Sequence, residues 1–353
     1  MWREFDKTNI GAVQEMDIFV RSHGNSHFSQ MPYWADVKTF WDWRGVTIYR
    51  GSTIIAAMGL LIRQLPLGFT VFYAPRGPVC DRNNKDIWCE LMSALKFLAK
   101  KYRAILLYAD PDELDSNEEF RTIMHELGFR ETADDGFGNI QPQYVFRLDI
   151  SSKDEDALFK AFSAKTRYNI GLAQRKGVTV KEYSGSDNIP EHIFDSFYSL
   201  MQTTGQRDRF YIRSLPYFKG LLNALQNDSR LFIAYLNGQP IAGSIEILCG
   251  NKAWYLYGAS SNEHRNVMPN YLLQWTMIKR AIARGCKIYD FRGVPGNTSE
   301  ADPLYGLYRF KKGFSGVYTK FTGLFCYSFH PVYSRIFELA LRVRRALNAE
   351  TRK

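Results

Sequence analysis

The chain has 353 residues, 45% of them apolar and 23% charged, which is ordinary globular composition in a length that exceeds one typical domain. Its formal net charge of +10 favours an anionic partner such as nucleic acid, a nucleotide sugar or an acidic membrane. Cys80, Cys89, Cys249, Cys286 and Cys326 form no C-x-x-C pair and match no zinc spacing, so buried thiols in a reducing compartment are expected and a structural metal is not. The charged, mixed start at Met1–Asp6 is unlike a signal peptide, and no stretch has transmembrane length. A cytoplasmic protein is expected, with contact to the inner face of the membrane left open.

In chain order, Val46–Tyr49 reads as a strand leading to the Arg50-Gly51 turn. Ile54–Ile62 and Phe69–Tyr73 follow as apolar strands. A helical period runs from about Asp86 to Lys101, with Ile87, Leu91, Leu95 and Leu98 on one face. The buried strand Ala104–Tyr108 ends at Asp110-Pro111. The same order then recurs. Leu231–Tyr235 meets the hairpin signal Asn237-Gly238, followed by strands Ile241–Leu248 and Ala253–Tyr257. A helix from about Asn270 to Arg284 stops at Gly285, and Lys287–Tyr289 ends at Asp290. Val317–Phe325 reads as one strand. Pro331–Lys353 is helix-periodic and basic, with Ile336, Leu339, Val343 and Leu347 along one face and Arg335, Arg342, Arg344 and Arg345 elsewhere.

Strand, turn, strand, strand, helix, strand-Asp is the order of the acyl-CoA N-acetyltransferase (GNAT) fold. Two such units in one chain predict an α/β (α+β) protein of tandem GNAT-like domains, with mixed central sheets flanked by helices. Acetyl-CoA enzymes of this fold seat pyrophosphate on a glycine-rich loop at a helix N-terminus. Here the two corresponding stretches, Asp81–Asp86 and Arg265–Asn270, contain no glycine. No CoA and no other cofactor is therefore expected, and the acyl donor is a different one.

The positive charge is concentrated. From Ala157 to Lys181 there are six basic residues and no acidic one, among them Lys165, Arg167, Arg175 and Lys176. Pro303–Lys320 has Arg309, Lys311, Lys312 and Lys320 and no acid. Tyr168, Tyr308 and Phe310 are interleaved with them. Either stretch alone fits a solvated helix face. Together they suit a polyanion that also offers bases to stack on, as a tRNA acceptor end does.

Seven segments, in this order and spacing, give a more specific signal: Phe28–Lys38, Tyr73–Pro78, Ile140–Pro142, Lys165–Ile170, Trp254–Ser260, Tyr289–Gly293 and Gly306–Phe314. With them the chain resembles the Fem family of peptidoglycan bridge-forming aminoacyltransferases over nearly its whole length. It resembles the compact members, since no pair of long heptad runs is present. The resemblance implies an acceptor-side domain of residues 1–146 completed by 318–353, and an aminoacyl-tRNA-side domain of residues 147–317. It implies no metal, no CoA, an aminoacyl-tRNA donor, and a muropeptide acceptor: UDP-MurNAc-pentapeptide or lipid II. A monomer is expected.

Residue by residue, the resemblance places Lys38, Arg213, Tyr217 and Tyr257 on the nucleotide-sugar phosphates, a task suited to a guanidinium fork, an ammonium and phenols. It places Phe310 and Lys311 at the reacting centre, with Lys311 facing the developing oxyanion or the charged tRNA end and Phe310 stacking on the terminal adenine. Lys312 is the substitute if the register is one residue off. Lys165, Arg167, Arg175, Lys176 and Lys312 form the expected tRNA surface. Asp110 matches an acidic residue near the acceptor peptide, where it orients the amine or takes its proton; a strand-end cap before Pro111 explains it equally. The chain departs from the family at Gly323-Leu324-Phe325-Cys326, where Gly-Glu-Phe-Asp is usual.

Two other functions remain open on sequence alone. One is a GNAT-fold acyltransferase with another donor, or with a protein or polysaccharide acceptor. The other is a non-catalytic nucleic-acid-binding protein, which has no need of Lys38, Arg213, Tyr217 and Tyr257. Which amino acid is transferred is not legible.

Overall fold

The computed structural model describes residues 1–132 and 140–350, with the side chains of 342–350 outside that description. Arg342, Val343, Arg344, Arg345 and Leu347 are therefore placed by backbone alone. The chain forms two compact units: Met1–Asn25, Lys38–Asp134 and Phe321–Lys353 make the first, and Ser26–Val37 with Asp135–Lys320 the second.

The first unit contains β1 (Trp2–Phe5), α1 (Ile10–Ser22), β2 (Asp42–Arg50), β3 (Thr53–Gln64), β4 (Thr70–Ala74), β5 (Val79–Cys80), α3 (Lys85–Tyr102), β6 (Ala104–Ala109), α4 (Glu118–Glu126), β7 (Arg130–Glu131), β15 (Phe325–Ser328) and α11 (Pro331–Glu350). Its sheet runs β1-β2-β3-β4-β6-β15-β7, with β5 paired to β3. Among its described residues only β4 and β6 are parallel, joined by α3 as the crossover. Asn84 caps α3 through its side chain, and Ile87, Leu91, Leu95 and Leu98 are all buried against the sheet.

The second unit contains α2 (Trp34–Val37), β8 (Tyr144–Asp149), α5 (Glu155–Ala161), α6 (Ala164–Arg175), β9 (Thr179–Ser184), α7 (Glu191–Asp208), α8 (Leu215–Leu225), β10 (Ser229–Leu236), β11 (Gln239–Cys249), β12 (Lys252–Ser260), α9 (Pro269–Ala283), β13 (Ile288–Gly293), α10 (Tyr305–Lys312) and β14 (Val317–Lys320). Its sheet order is β14-β8-β13-β12-β11-β10-β9, again with a single parallel pair among the described residues, β12 and β13, joined by α9. Asn237 and Gly238 have φ of 50° and 80°, as a two-residue primed turn between β10 and β11 requires. Helix α9 ends at Gly285, whose φ of 79° lets Cys286 N donate to Ala281 O.

Both units are thus mixed sheets flanked by helices, with the repeated order read from the sequence. One expectation fails. Val317–Phe325 is not one strand but two, β14 in the second sheet and β15 in the first. Gly323, at φ 93°, lies between them, a conformation that an extended run cannot hold. The segment Ser26–Val37 also clusters with the second unit, away from its sequence neighbours.

Candidate active site

The two parallel pairs differ at their C-terminal ends. In the first unit β4 and β6 stay paired to Ala74 and Ala109. In the second, the β12–β13 ladder stops at Trp254 and Asp290, although β12 continues to Ser260 and β13 to Gly293. The sheet therefore splits, and the residues just past the split on each strand are Tyr255 and Phe291–Gly293.

A β-bulge sits at the split. Ile245 pairs with Tyr257 and Glu246 with Tyr255, so Leu256 is an extra residue in β12. Without it, Tyr255 and Tyr257 would share a face. With it, Tyr257 turns to helix α8, its ring 5.1 Å from Phe218, while Tyr255 packs with the core that contains α9. Gly258 makes room for Tyr255: a Cβ there would lie 1.6 Å from the Tyr255 hydroxyl.

Lys311 enters this split from α10. It is only 4% exposed. Its Nζ donates to Gly293 O on β13 at 2.8 Å and lies 5.5 Å from the centre of the Tyr255 ring on β12, so one ammonium links both strands. Burial lowers its pKa to about 7; Asp290 acts in the opposite direction and Arg292 reinforces the depression. The Asp290 carboxylate that opposes the depression is itself hydrogen-bonded on both oxygens. Its Oδ2 accepts from Arg147 Nε at 3.0 Å and its Oδ1 from Arg292 N at 2.7 Å. Arg292 has φ 61°, unusual for a residue with a Cβ, and that peptide N–H bond holds it there. Its guanidinium donates to Gln141 Oε1 at 2.8 Å.

The neighbouring Phe310 packs edge-on against Tyr271 and Phe314 at 4.9 and 5.5 Å, half-buried, whereas Lys312 is exposed beside the Tyr308 ring. The two basic stretches meet here. Ser163 N, at the start of α6, donates to Gly313 O at 2.9 Å, and the Phe162 and Phe314 rings lie 5.2 Å apart. Along α6, Lys165, Arg175 and Lys176 are exposed, with Arg175 5.7 Å from the exposed Tyr168 ring. Arg167 is half-buried and donates to the Lys160 and Phe162 carbonyls that end α5.

Arg213, Tyr217 and Tyr257 also come together. The exposed Arg213 lies 5.4 Å from the Tyr217 ring, and Tyr257 donates to the Tyr217 hydroxyl at 3.3 Å. Burial, then Tyr257, pushes the Tyr217 phenol well above its ordinary pKa, so it stays a neutral hydrogen-bonding group. Arg292 is a charged neighbour of both Tyr217 and Lys311, which ties this cluster to the split.

Lys38 and Asp110 belong to the first unit. Lys38 is half-buried. Asp110 is buried at the end of β6, where its Oδ2 accepts from the Tyr73 hydroxyl at 2.7 Å and its Oδ1 from Arg76 N at 2.8 Å. Tyr255, Arg147, Arg292 and the Gly293 carbonyl had no role in the sequence reading. Tyr289–Gly293 was recognised as a motif, but nothing in it points to Arg147.

The FemAB family model matches residues 12–239 and 237–342. The lipid II:glycine glycyltransferase of Staphylococcus epidermidis is 28% identical over 419 aligned positions, covering 99% of each chain. That of Staphylococcus aureus is 28% identical over 416, covering 96% of this chain and 97% of its own. Both alignments are longer than the 353-residue chain, so these relatives carry inserted segments that it lacks. The crystal structure of FemX superposes with a TM-score of 0.84 at 27% identity, over 95% of this chain and 99% of that one. A tandem GNAT protein from clavulanic acid biosynthesis, at 12% identity, shares the fold with a TM-score of 0.56 over 94% of this chain and 99% of its own. Two GNAT-like units, a lysine held in the split of the second sheet and a family match across nearly the whole length agree: the chain is a transferase of the FemAB family.

Proposed function

We propose that this enzyme moves an amino acid from aminoacyl-tRNA to the peptide-stem amine of a peptidoglycan precursor, UDP-MurNAc-pentapeptide or lipid II. The observation that carries the reading is Lys311, a buried lysine with a pKa of about 7 seated where the second sheet opens. Its relatives in the family are named for glycyl transfer to lipid II, which supplies the acceptor class. The exposed cations of α6 and α10, with Tyr168 and Tyr308 among them, suit the tRNA acceptor end. Arg213, Tyr217 and Tyr257 suit a phosphate group of the acceptor, and Lys38 is proposed to bind phosphate as well.

The reaction is aminolysis of an ester. The acceptor amine attacks the aminoacyl carbonyl carbon, an oxyanion forms, the C–O bond to the ribose breaks and the amide C–N bond remains. One proton must travel from the amine nitrogen to the departing ribose oxygen. With a pKa of about 7, Lys311 is present in both forms at neutral pH. Neutral Lys311 keeps its N–H bond to Gly293 O and offers its lone pair to the amine proton. The ammonium so formed stands beside the oxyanion and returns the proton to the ribose oxygen. Phe310 stacks on the terminal adenine. Asp110 shapes the strand end of the first unit by fixing Tyr73 and Arg76.

The test is transfer of radiolabel from a full set of aminoacyl-tRNAs to either muropeptide, without CoA. Label in the muropeptide, reduced at least a hundredfold by Lys311→Ala, is expected, the scale of losing one such group. Tight tRNA binding with no transfer to either acceptor refutes the peptidoglycan reading.

A further inference from the structure

Helix α11 presents its apolar stripe the wrong way round for a packed helix. Its inner face is held by Ser334, which donates to Ile105 O at 2.9 Å, and by Phe337, which packs with Val71, Ile105 and Leu106. Glu338 on that side accepts from Arg130 at 3.2 Å. Val332, Ile336 and Leu339, at helical spacing, face outward and are 63%, 59% and 63% exposed. Beside this stripe the Tyr333 ring lies 4.5 Å from Phe69, at the end of the turn whose tip, Leu67, is 83% exposed. Arg103 sits 5.0 Å from the other partner of that contact, the Phe69 ring. Large apolar groups left in water on two adjacent elements mark an interaction surface.

The charge of the C-terminal sequence selects the occupant. From Arg335 onward the chain carries Arg335, Arg342, Arg344, Arg345, Arg352 and Lys353 against Glu338 and Glu350 only. Glu338 is already paired with Arg130. A helix with an exposed apolar stripe, an arginine-rich sequence and a neighbouring apolar loop tip lies flat in the interface of an anionic bilayer, and among the described residues no helix is long and apolar enough to cross one. We propose that α11 and the Leu67 turn dock the enzyme onto an anionic phospholipid surface. The proposal borrows from the transfer reading only the sense of such docking, which brings the enzyme to a lipid-borne acceptor.

Flotation of the full chain with phosphatidylglycerol or phosphatidylcholine vesicles uses neither tRNA nor muropeptide, so it is decided independently of the transfer reading. Binding to the anionic vesicles alone is expected, weakened by 1 M salt. Ile336→Glu with Leu339→Glu should reduce the bound fraction about tenfold or more, with an unchanged melting curve because both side chains are exposed. Leu67→Asp should weaken it separately. No binding to anionic vesicles, or equal binding by the double variant, overturns the proposal. So does a wild-type dimer that the double variant dissolves, which assigns the stripe to a second copy, or a loss of tRNA affinity in its place.

Discussion

Replacing Lys311 by Met should make the protein more stable while abolishing transfer. A pKa lowered from 10.5 to about 7 means that folding disfavours the lysine charge by about 5 kcal/mol. The sign follows from proton counting. Between pH 7 and 10.5 the unfolded chain binds a proton that the folded one does not, so stability rises with pH across that window. The destabilisation is complete below pH 7 and gone above 10.5. Methionine matches the volume of the stem and carries no charge. Against the gain, Gly293 O loses its donor, a loss of about 1–3 kcal/mol. The net gain is about 2–4 kcal/mol at pH 7 and falls to near zero by pH 9. For a unit of this size that is a rise in melting temperature of about 4 °C or more at pH 7. Paired thermal melts of wild type and variant at pH 7 and pH 9 decide it. A variant that melts lower at pH 7, or a gap that does not close with pH, refutes the burial argument. It would also remove the basis for Lys311 as a base near neutrality.

Arg147→Met leaves the Asp290 carboxylate, 3% exposed, without its ion pair. Asp290 already acts to raise the Lys311 pKa, and without the opposing Arg147 charge its field is less offset, which should raise that pKa further and move the acidic limb of the transfer rate profile upward by about one pH unit. Activity lost at pH 7 and recovered at pH 8.5 is the expected signature; a uniform loss at all pH values means that Arg147 only supports the fold. Gly258→Ala drives a methyl group into the Tyr255 hydroxyl, so stability should fall by about 1–3 kcal/mol and transfer with it, measured by denaturant melts and label transfer. Arg213→Ala and Tyr217→Phe should raise KM for the muropeptide about tenfold or more and leave kcat nearly unchanged. An acceptor titration in which kcat falls and KM holds would move the pair from binding to chemistry.

The repeated plan of the two units was legible because local signals wrote it. Asn237-Gly238 demands a primed turn, Gly285 a helix stop, and the spacing of Ile87, Leu91, Leu95 and Leu98 a buried helical face. The break at Gly323 was not legible, since Val317–Tyr318 and Phe325–Cys326 are equally strand-like and only the sheets they join tell them apart. Register was hidden for the same reason. Nothing in Ala253–Tyr257 or Lys287–Asp290 says that three pairs form and then part, or that Leu256 bulges.

The sequence reading keeps Lys312 as a substitute for Lys311, and the helical period of α10 separates the two by burial. Leu304, Leu307, Tyr308, Lys311 and Phe314 recur at intervals of three and four, so position 311 falls on the inward stripe of α10 and position 312 beside it. A lysine on an apolar stripe is buried with either a partner or a depressed pKa, and here it has a carbonyl rather than a carboxylate. The carboxylate that acts to keep it charged, Asp290, is hydrogen-bonded by Arg147 and by the backbone of Arg292. Arg147 lies 143 residues before Asp290, on a strand that reaches it only through sheet pairing. Burial in the split is the main cause of the lowered pKa of Lys311, and the field of Asp290 upon it depends on a contact that exists only once β8 and β13 have paired. That dependence is why substituting Arg147, far from Lys311 in sequence, should move the pH profile without touching the reacting atoms.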